Sequence, residues 1–277
     1  MSPIIPIEDF FEDIIAKSMR GRNISEGNLA ETTGVSPDVL HRLCRGEFCD
    51  EPALVKVAKA LSLDPRALSM SASKVWRPRS VELEGLEVLN TPYRDMRVNA
   101  FLVWDPDSKV GAAFDSGTDS TKLVDKAISA GITIDNIFIT HTHNDHIADL
   151  DRLKAACEDV CVYSNEAEPW PGTHNFSEGD SFSIGNLSIK AFTTSGHSVG
   201  GTTYYIEGLD KPVAVVGDAM FAGSMGGGMI SFADAWKNNQ EKILTLPDET
   251  VICPGHGPVT TVGEEKRNNP FFASEYR

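Results

Sequence analysis

The sequence predicts an α+β protein, with a small all-α domain over residues 1–70, a linker over 71–79 and a two-sheet sandwich flanked by helices over 80–277. Three observations lead to this prediction. Capping signals divide the first 70 residues into short amphipathic helices. From about residue 76 the apolar pattern changes to strand-like alternation with helices in between. The chain has 277 residues, 41% of them hydrophobic, and is longer than one average domain.

The helices of the first part are predicted from their start and stop residues. One helix ends at Gly34, and the next begins after Ser36 and stops at Gly46. A third pattern of the same kind covers about 52–62, and Asp64 caps a last short turn. Together with a first helix near the N-terminus, these signals predict five short helices.

The second part alternates strands with helices, as in two packed sheets with helices outside. Its predicted strands cover residues 81–89, 97–105, 110–114, 136–140, 160–163, 181–194, 201–206, 212–217 and 249–253. Its predicted helices cover residues 118–130, 146–156 and 231–244.

The composition excludes several classes of protein. No apolar run approaches the ~20 residues of a membrane helix, and the N-terminal residues include acids where a signal peptide has a basic region. The net charge of -15 argues against nucleic-acid binding by the chain as a whole. Residues 1–75 carry nine Lys/Arg and eleven Asp/Glu, so the acidity lies mainly in the second part. Five cysteines without C-x-x-C spacing indicate reduced thiols and a cytoplasmic protein without membrane partners.

A cluster of metal-ligand residue types follows the predicted strand 136–140. It reads His-Thr-His-Asn-Asp-His, and further His and Asp residues stand beside glycines at later strand ends. Imidazole and carboxylate groups are the ligands that zinc prefers, with iron and manganese as alternatives. The sequence therefore predicts a metal site formed by His141, His143, Asp145, His146, His197, Asp218 and His256.

The number of these residues predicts the chemistry. Seven ligands are too many for one tetrahedral zinc ion, so we expect two divalent metal ions. Two cations that share a carboxylate and a solvent molecule can convert that solvent into hydroxide near neutral pH and polarise a carbonyl group under attack. This predicts a metal-dependent hydrolase with a small-molecule substrate.

Residues 80–277 resemble the metallo-β-lactamase fold and, within it, the glyoxalase II-like branch. The resemblance rests on FDSGTD, THTHNDHIADL, TTSGHSVGGTTYY, GDAMFAGS and PGHGPVTTVGEEKRNNPFF. It implies an αββα sandwich in which Asp145 is catalytic and orients the hydroxide. It also implies a first metal on His141, His143 and His197, a second on Asp145, His146 and His256, and a bridge through Asp218.

Two departures from that branch affect the substrate. Gly226-Gly227-Gly228 stands where glutathione-specific members have a basic and an aromatic residue, and the chain ends 21 residues after His256, before their C-terminal helical domain. We therefore expect a bridging hydroxide to attack a thioester or small ester that is not specifically a glutathione conjugate. Two alternatives remain. One is a metabolite-sensing, DNA-binding regulator whose metallo-domain only binds a ligand. The other is an iron-dependent sulfur dioxygenase, although the full seven-ligand set favours the hydrolase.

Residues 7–70 are similar to the Cro/phage-repressor type of helix-turn-helix. The resemblance implies a second helix at 26–33 and a recognition helix at 37–45, so that DNA would contact residues 26–46. The outward residues would be Pro37, Asp38, His41, Arg42 and Arg45. Because the net charge of this part is slightly negative, a module for dimerisation or partner docking is favoured over DNA binding.

Three further features have less specific patterns. Tyr204 and Tyr205 are neighbours on one strand, so one should face the core and the other the opposite side. Trp170 and His174 lie in a loop that could overhang the site. Cys253 is expected to be a buried thiol rather than a nucleophile.

Overall fold

The structure, a computed structural model, describes residues 5–48 and 50–276, so that Cys49 lies outside it. It begins with five helices, α1 Phe11–Gly21, α2 Glu26–Thr33, α3 Pro37–Leu43, α4 Glu51–Ala60 and α5 Pro65–Ala72. The last four each begin at a side chain that accepts a hydrogen bond from the first turn, namely Ser25, Ser36, Asp50 and Asp64. Short polar residues therefore set these helix starts, as their capping preference predicts.

The five helices share one apolar core with the C-terminal part of the chain. Buried Ile14 and Leu54 belong to the same cluster as Val216 and Phe272. The backbone N–H of Asp64 also donates to the Pro270 carbonyl oxygen at 2.7 Å. The helical part and the sandwich thus share one core. The division into two domains by a linker over 71–79 remains a prediction.

The first sheet has six strands that lie in chain order. These are β1 Leu86–Tyr93, β2 Met96–Trp104, β3 Val110–Phe114, β4 Thr133–Phe138, β5 Cys161–Asn165 and β6 His174–Phe176. The pairs β1–β2 and β2–β3 are antiparallel, whereas β3 to β6 pair in parallel. The helices that follow its strands are α6 Thr121–Ala130, α7 Asn144–Ile147 and α8 Leu150–Ala156.

The second sheet also has six strands, in the order β14-β13-β10-β9-β8-β7. These are β7 Ser181–Ile184, β8 Leu187–Thr193, β9 Thr202–Glu207, β10 Val213–Gly217, β13 Val251–Pro254 and β14 Thr260–Thr261. A separate hairpin consists of β11 Met220–Phe221 and β12 Ser224–Met225. The accompanying helices are α9 Phe232–Asn238, a π-helical turn Asn239–Ile243, α10 Val262–Asn268 and a 3₁₀ turn Ala273–Tyr276.

The two sheets pack face to face around an aromatic core. Phe114 and Phe138 of the first sheet contact Tyr204 of the second, with ring centroids 5.4 and 5.1 Å apart. Helices α6 and α8 cover the outer face of the first sheet, and α9 and the N-terminal helices pack on the outer face of the second. The four-layer αββα prediction is confirmed for this part. No helix within 5–48 and 50–276 has the length and apolar character needed to cross a membrane.

The boundaries differ from the sequence-based expectations where a glycine interrupts a pattern, or where a backbone N–H, such as that of Asp149, donates to a residue outside the element. The strand expected from residue 81 begins at Leu86, because Gly85 has φ +90° and a Cβ there would lie 2.7 Å from the Trp104 carbonyl oxygen. The strand expected over 181–194 turns back at Gly185, also with positive φ. The helix expected over 146–156 is divided into α7 and α8.

Candidate metal centre

The candidate ligands lie on loops at one edge of the sandwich. Parallel strands present their carboxyl ends at the same edge of a sheet, and β10 and β13, which end just before Asp218 and His256, are parallel. The segment with His141 follows β4, and His197 lies on the loop between β8 and β9. Strand topology therefore brings together residues that are far apart in sequence.

Four of the seven residues form a first group. His143 Nδ1 lies 3.0 Å from both His141 Nε2 and His197 Nε2. Asp218 Oδ2 lies 3.4 Å from His197 Nε2 and 4.0 Å from His141 Nε2. All four candidate ligand atoms lie within 4.8 Å of one another, a spacing that could hold a metal ion. His143 is exposed and His197 partly so, so this group faces the open side.

The other three residues form a second group. Asp145 Oδ2 lies 3.3 Å from His256 Nε2 and 3.8 Å from His146 Nε2. These ligand atoms also lie within 4.8 Å of one another. His146 and His256 are buried, His146 completely, and the Asp145 side chain is 12% exposed.

Asp218 lies between the two groups. Its Oδ1 is 3.4 Å from His146 Nε2, and its Oδ2 is 3.4 Å from both His197 Nε2 and His256 Nε2. Within the described part of the chain, Asp218 Oδ1 and His146 Nε2 are buried without a hydrogen-bond partner. Leaving such atoms unsatisfied is costly, and a carboxylate oxygen beside imidazole nitrogens is a donor set that divalent ions prefer. The seven residues therefore fit two metal ions.

In four of the histidines, a hydrogen bond at Nδ1 fixes the tautomer of the ring. The Nδ1 atoms of His197 and His256 donate to the carbonyl oxygens of Gly227 at 3.0 Å and Arg97 at 2.6 Å. His146 Nδ1 donates to Asp115 Oδ2 at 2.7 Å. The Nδ1 of His141 lies 3.1 Å from the Thr140 hydroxyl, which itself donates to Asp115. Protonated Nδ1 atoms leave Nε2 free to bind a metal.

Asp115 is a functional residue that the sequence reasoning did not identify. It accepts from the Thr140 N–H at Oδ1 and from the Thr140 hydroxyl and His146 at Oδ2, each at 2.7 Å. It is 2% exposed, and its φ is +58°. The FDSGTD motif contained the signal, but its partner His146 is 31 residues away in the chain.

The charges of the site favour a positive charge at its centre. Burial alone would raise the pKa of Asp218, but His256 and His146 hold it well below the usual range. Burial alone would lower the pKa of His146, but Asp115 and Asp218 raise it to about 10. Burial does lower the pKa of His141 and of His197. The carboxylates thus stabilise positive charge here, whether an imidazolium or a metal ion carries it.

Glu168 joins two of the ligand loops. Its Oε1 accepts from the N–H and hydroxyl of Thr142 at 2.7 and 2.6 Å, and its Oε2 accepts from the Gly200 N–H at 2.8 Å. Burial alone would raise the pKa of Glu168, but these hydrogen bonds lower it. An ionised Glu168 therefore fixes the His141–His143 segment relative to the loop that carries His197.

Close packing requires glycine at two positions of the run Gly226-Gly227-Gly228. A Cβ at Gly226 would overlap the Asp218 carbonyl oxygen, and one at Gly228 would lie 2.8 Å from the Phe232 N atom. Gly227 has more room, and its carbonyl oxygen orients His197. The run is thus a structural part of the candidate metal centre.

The less specific candidates lie outside the metal cluster. Tyr204 is fully buried and donates to the Ile139 carbonyl oxygen at 2.7 Å, whereas the Tyr205 hydroxyl lies 3.3 Å from Glu207 on the opposite face, as alternation predicts. Cys253 is fully buried, and burial raises the pKa of its thiol. His174 packs against Tyr163 with ring centroids 5.7 Å apart.

Known proteins share both the sequence pattern and the fold. A sequence profile of the metallo-beta-lactamase superfamily matches residues 93–256. The probable metallo-hydrolase YqgX of Bacillus subtilis is 29% identical over 210 residues, which is 65% of this chain and 95% of that protein. The hydroxyacylglutathione hydrolase GloC of Haemophilus influenzae is 27% identical over 208 residues, 66% of this chain and 97% of that protein.

A solved structure extends the similarity to a two-metal protein. The crystal structure of TTHA1623 in a di-iron-bound form has a TM-score of 0.54 and 26% identity, and the match covers 67% of this chain and all of that one. Because the profile begins at residue 93, the helix-turn-helix assignment of the first part stays a prediction.

Proposed function

This chain belongs to the metallo-beta-lactamase superfamily, and on that basis we propose that it is a binuclear metal-dependent hydrolase of thioesters or small esters. The position of Asp218 is the observation that carries the proposal. Each of its two oxygens lies 3.4 Å from an imidazole nitrogen. These nitrogens come from His197 of the first group and from His146 and His256 of the second. A carboxylate so placed can bind two cations at once, as two-metal hydrolytic sites require.

Each group of residues has a separate task in this proposal. His141, His143 and His197 would hold one divalent ion, the second group would hold the other, and Asp218 would bind both. Zinc is the first choice of metal, with iron and manganese as alternatives. When bound, these ions supply a hydroxide nucleophile near neutral pH and polarise the substrate carbonyl.

Asp145 is the proposed catalytic carboxylate. Burial alone would raise its pKa, but the hydrogen bond from His256 and the charge of His146 lower it. It therefore stays ionised at neutral pH and can accept a hydrogen bond from the attacking nucleophile. A carboxylate held in this way orients a nucleophile and can take up its proton.

Apolar side chains near His197 support a substrate with an apolar part. Val199 and Ile230 are 47% and 60% exposed, and Met229 is 71% exposed. The Ile230 N–H donates to the Gly196 carbonyl oxygen at 3.0 Å, directly before His197. We call Val199, Met229 and Ile230 the apolar rim. Exposed apolar groups beside a polar site are typical of ligand contacts.

Hydroxyacylglutathione thioesters are the competing substrate class, since GloC carries that name. Against them stands Gly226-Gly227-Gly228, which offers no basic or aromatic side chain for glutathione. We therefore favour thioesters and small esters without the glutathione carboxylates.

Metal analysis combined with a substrate panel tests the proposal. The purified protein should contain two divalent ions per chain by elemental mass spectrometry. Chelation should abolish turnover of neutral thioesters, and added zinc, iron or manganese should restore it. His143→Ala should lose metal and activity, whereas His174→Ala, which changes a histidine outside the cluster, should retain both. Turnover that persists in the metal-free protein would exclude the mechanism.

For the N-terminal helices we infer a helix-turn-helix module that docks a partner or a second copy of the chain. On α3, Arg42 Nε lies 2.8 Å from Glu47 Oε2, and His41 lies 3.5 Å from Glu26. Asp38 is exposed on the same helix. These acids reduce the positive charge that DNA binding needs. Light scattering distinguishes a dimer from a monomer that docks another partner, and retardation of random duplex DNA at low salt would contradict both.

A further inference from the structure

The segment before α1 packs against the loop that follows the candidate ligand His256. Gly257, directly after His256, has φ +75°, and a Cβ there would lie 3.3 Å from the Glu8 N atom and 3.4 Å from Glu8 Cβ. The backbone of Glu8 therefore lies against the loop that carries His256. Residues 8 and 256 are brought together only by the packing of the N-terminal part on the sandwich.

Contacts on both sides fix this segment. Asp9 is buried and forms an ion pair with Lys17 of α1. Lys17 Nζ also donates to the Met225 carbonyl oxygen at 2.9 Å and lies 4.8 Å from the ring centroid of Phe221. The Phe221 ring in turn packs edge-on against His256, with centroids 5.6 Å apart. The position of Glu8 against the His256 loop is thus supported by α1 and by the β11–β12 hairpin.

Among the described residues, the Glu8 side chain forms neither a hydrogen bond nor an ion pair. It is half-buried. Burial raises its pKa, Asp9 and Asp218 add to the rise, and His256 and Lys17 oppose it. Divalent ions on the neighbouring ligands would favour its ionised form.

The nearby cations are engaged elsewhere. Lys17 is bound to Asp9, and the guanidinium of Arg97, whose carbonyl orients His256, is turned toward Asn90. A substrate group that approaches the His256 loop would therefore meet an acidic side chain whose charge Lys17 offsets only in part.

We propose that Glu8 selects substrates by charge, disfavouring a substrate carboxylate beside His256 and favouring a cationic or hydrogen-bond-donating group there. This inference rests on the proposed function and names its substrate class, namely neutral or cationic thioesters with an apolar acyl group. The N-terminal helices would then contribute a specificity-determining residue to the site.

A charge series of thioesters tests the proposal with the full metal-loaded chain. The neutral reference is S-butyryl-N-acetylcysteamine. Its anionic counterparts are the S-succinyl derivative, with the charge on the acyl group, and the butyryl thioester of 3-mercaptopropionate, with the charge on the thiol. Butyrylthiocholine is the cationic member. The kcat/KM of the wild type should rank cationic above neutral and neutral above anionic.

Glu8→Gln should bring the neutral-to-anionic ratio of kcat/KM down by about three- to fivefold, the size expected for one partly exposed charge. The matched control is Glu31→Gln, which removes the same charge from the exposed face of α2 and should leave every ratio unchanged. Ratios for Glu8→Gln within about twofold of the wild type for both anionic thioesters would overturn the proposal.

A binding measurement separates this proposal from the proposed function. If no thioester is hydrolysed, the proposed function fails, but calorimetry can still compare N-acetylcysteamine with 3-mercaptopropionate as thiol ligands of the metal-loaded protein. The wild type should prefer the neutral thiol, and Glu8→Gln should lose that preference. Equal preference in the two proteins would refute charge selection by Glu8 even without turnover.

Discussion

Asp115 offers a way to weaken the metal centre without changing any ligand. Its carboxylate holds His146 through Nδ1 and takes two further hydrogen bonds from Thr140. We expect Asp115→Asn to lower the affinity for the ion on the His146 side by roughly 10- to 100-fold, as is typical when a group behind a metal ligand is lost.

The magnitude follows from the hydrogen bonds. Asparagine has the same shape and tolerates the φ of +58°, so the backbone is not strained. Its amide group must face either the Thr140 N–H or the pair of donors at Oδ2. In the second arrangement His146 can respond by moving its proton to Nε2, the atom that would bind the metal. Loss of one charge-assisted hydrogen bond, about 1.5–3 kcal/mol, corresponds to roughly a 10- to 150-fold change in affinity.

Competition with a chromophoric chelator measures this effect as two zinc equivalents are added. The matched control is Asp135→Asn, an exposed residue on β4, which should bind both equivalents like the wild type. Circular dichroism should show an intact fold for both variants. Binding of both equivalents by Asp115→Asn within about threefold of the wild type would refute the role assigned to Asp115.

Three further predictions concern catalysis, substrate and stability. Asp145→Ala should reduce kcat by about 100-fold or more with an unchanged circular dichroism spectrum, and retention of more than a tenth of the rate would contradict a catalytic role. S-lactoylglutathione should be a poor substrate, so a kcat/KM above about 10⁵ M⁻¹s⁻¹, normal for a physiological substrate, would contradict our interpretation of Gly226-Gly227-Gly228. Burial raises the pKa of Glu265 from 4.5 to about 7, although the hydrogen bonds from Thr260, Gly223 and Asn269 oppose the rise. The folded state therefore binds this proton more tightly than the unfolded state, so the stability it contributes is lost as the pH rises. In urea unfolding, the free energy of unfolding of the wild type should fall by on the order of 1–3 kcal/mol more than that of Glu265→Gln between pH 5 and 8. Parallel pH profiles for the two proteins would show that Glu265 does not titrate in this way.

The convergence of the seven candidate ligands could be predicted because each one follows a strand or lies beside a glycine. Strand ends are recognisable from apolar runs, and parallel strands place their ends at one edge. The same reasoning predicted two sheets flanked by helices, since the longer strands are recognisable either as alternating patterns, such as β8, or as continuous apolar runs, such as β10. The two- and three-residue strands, such as β6 and β14, have none and were missed.

The residues that support the ligands could not be predicted, because their roles depend on distant partners. Asp115 meets His146 only once β3 and β4 are paired, and Glu168 meets Thr142 only after β5 has been added to the sheet. Glu8 is even harder to predict from the sequence, since the His256 loop that it packs against lies near the opposite end of the chain. In each case the sequence gives the chemical type of the residue, but not the distant residue that it contacts in the fold.

Helix α1 supports the metal centre from two directions. On the His256 side, Lys17 holds the segment with Glu8 and packs on Phe221. On the His197 side, a Cβ at Gly21 would overlap the Phe232 ring of α9, and α9 also packs against Gly196 through Ala235. Because protein interiors are close-packed, a shift of α1 would be transmitted to both histidine loops. The N-terminal helices are therefore best understood as a structural support of the candidate metal centre.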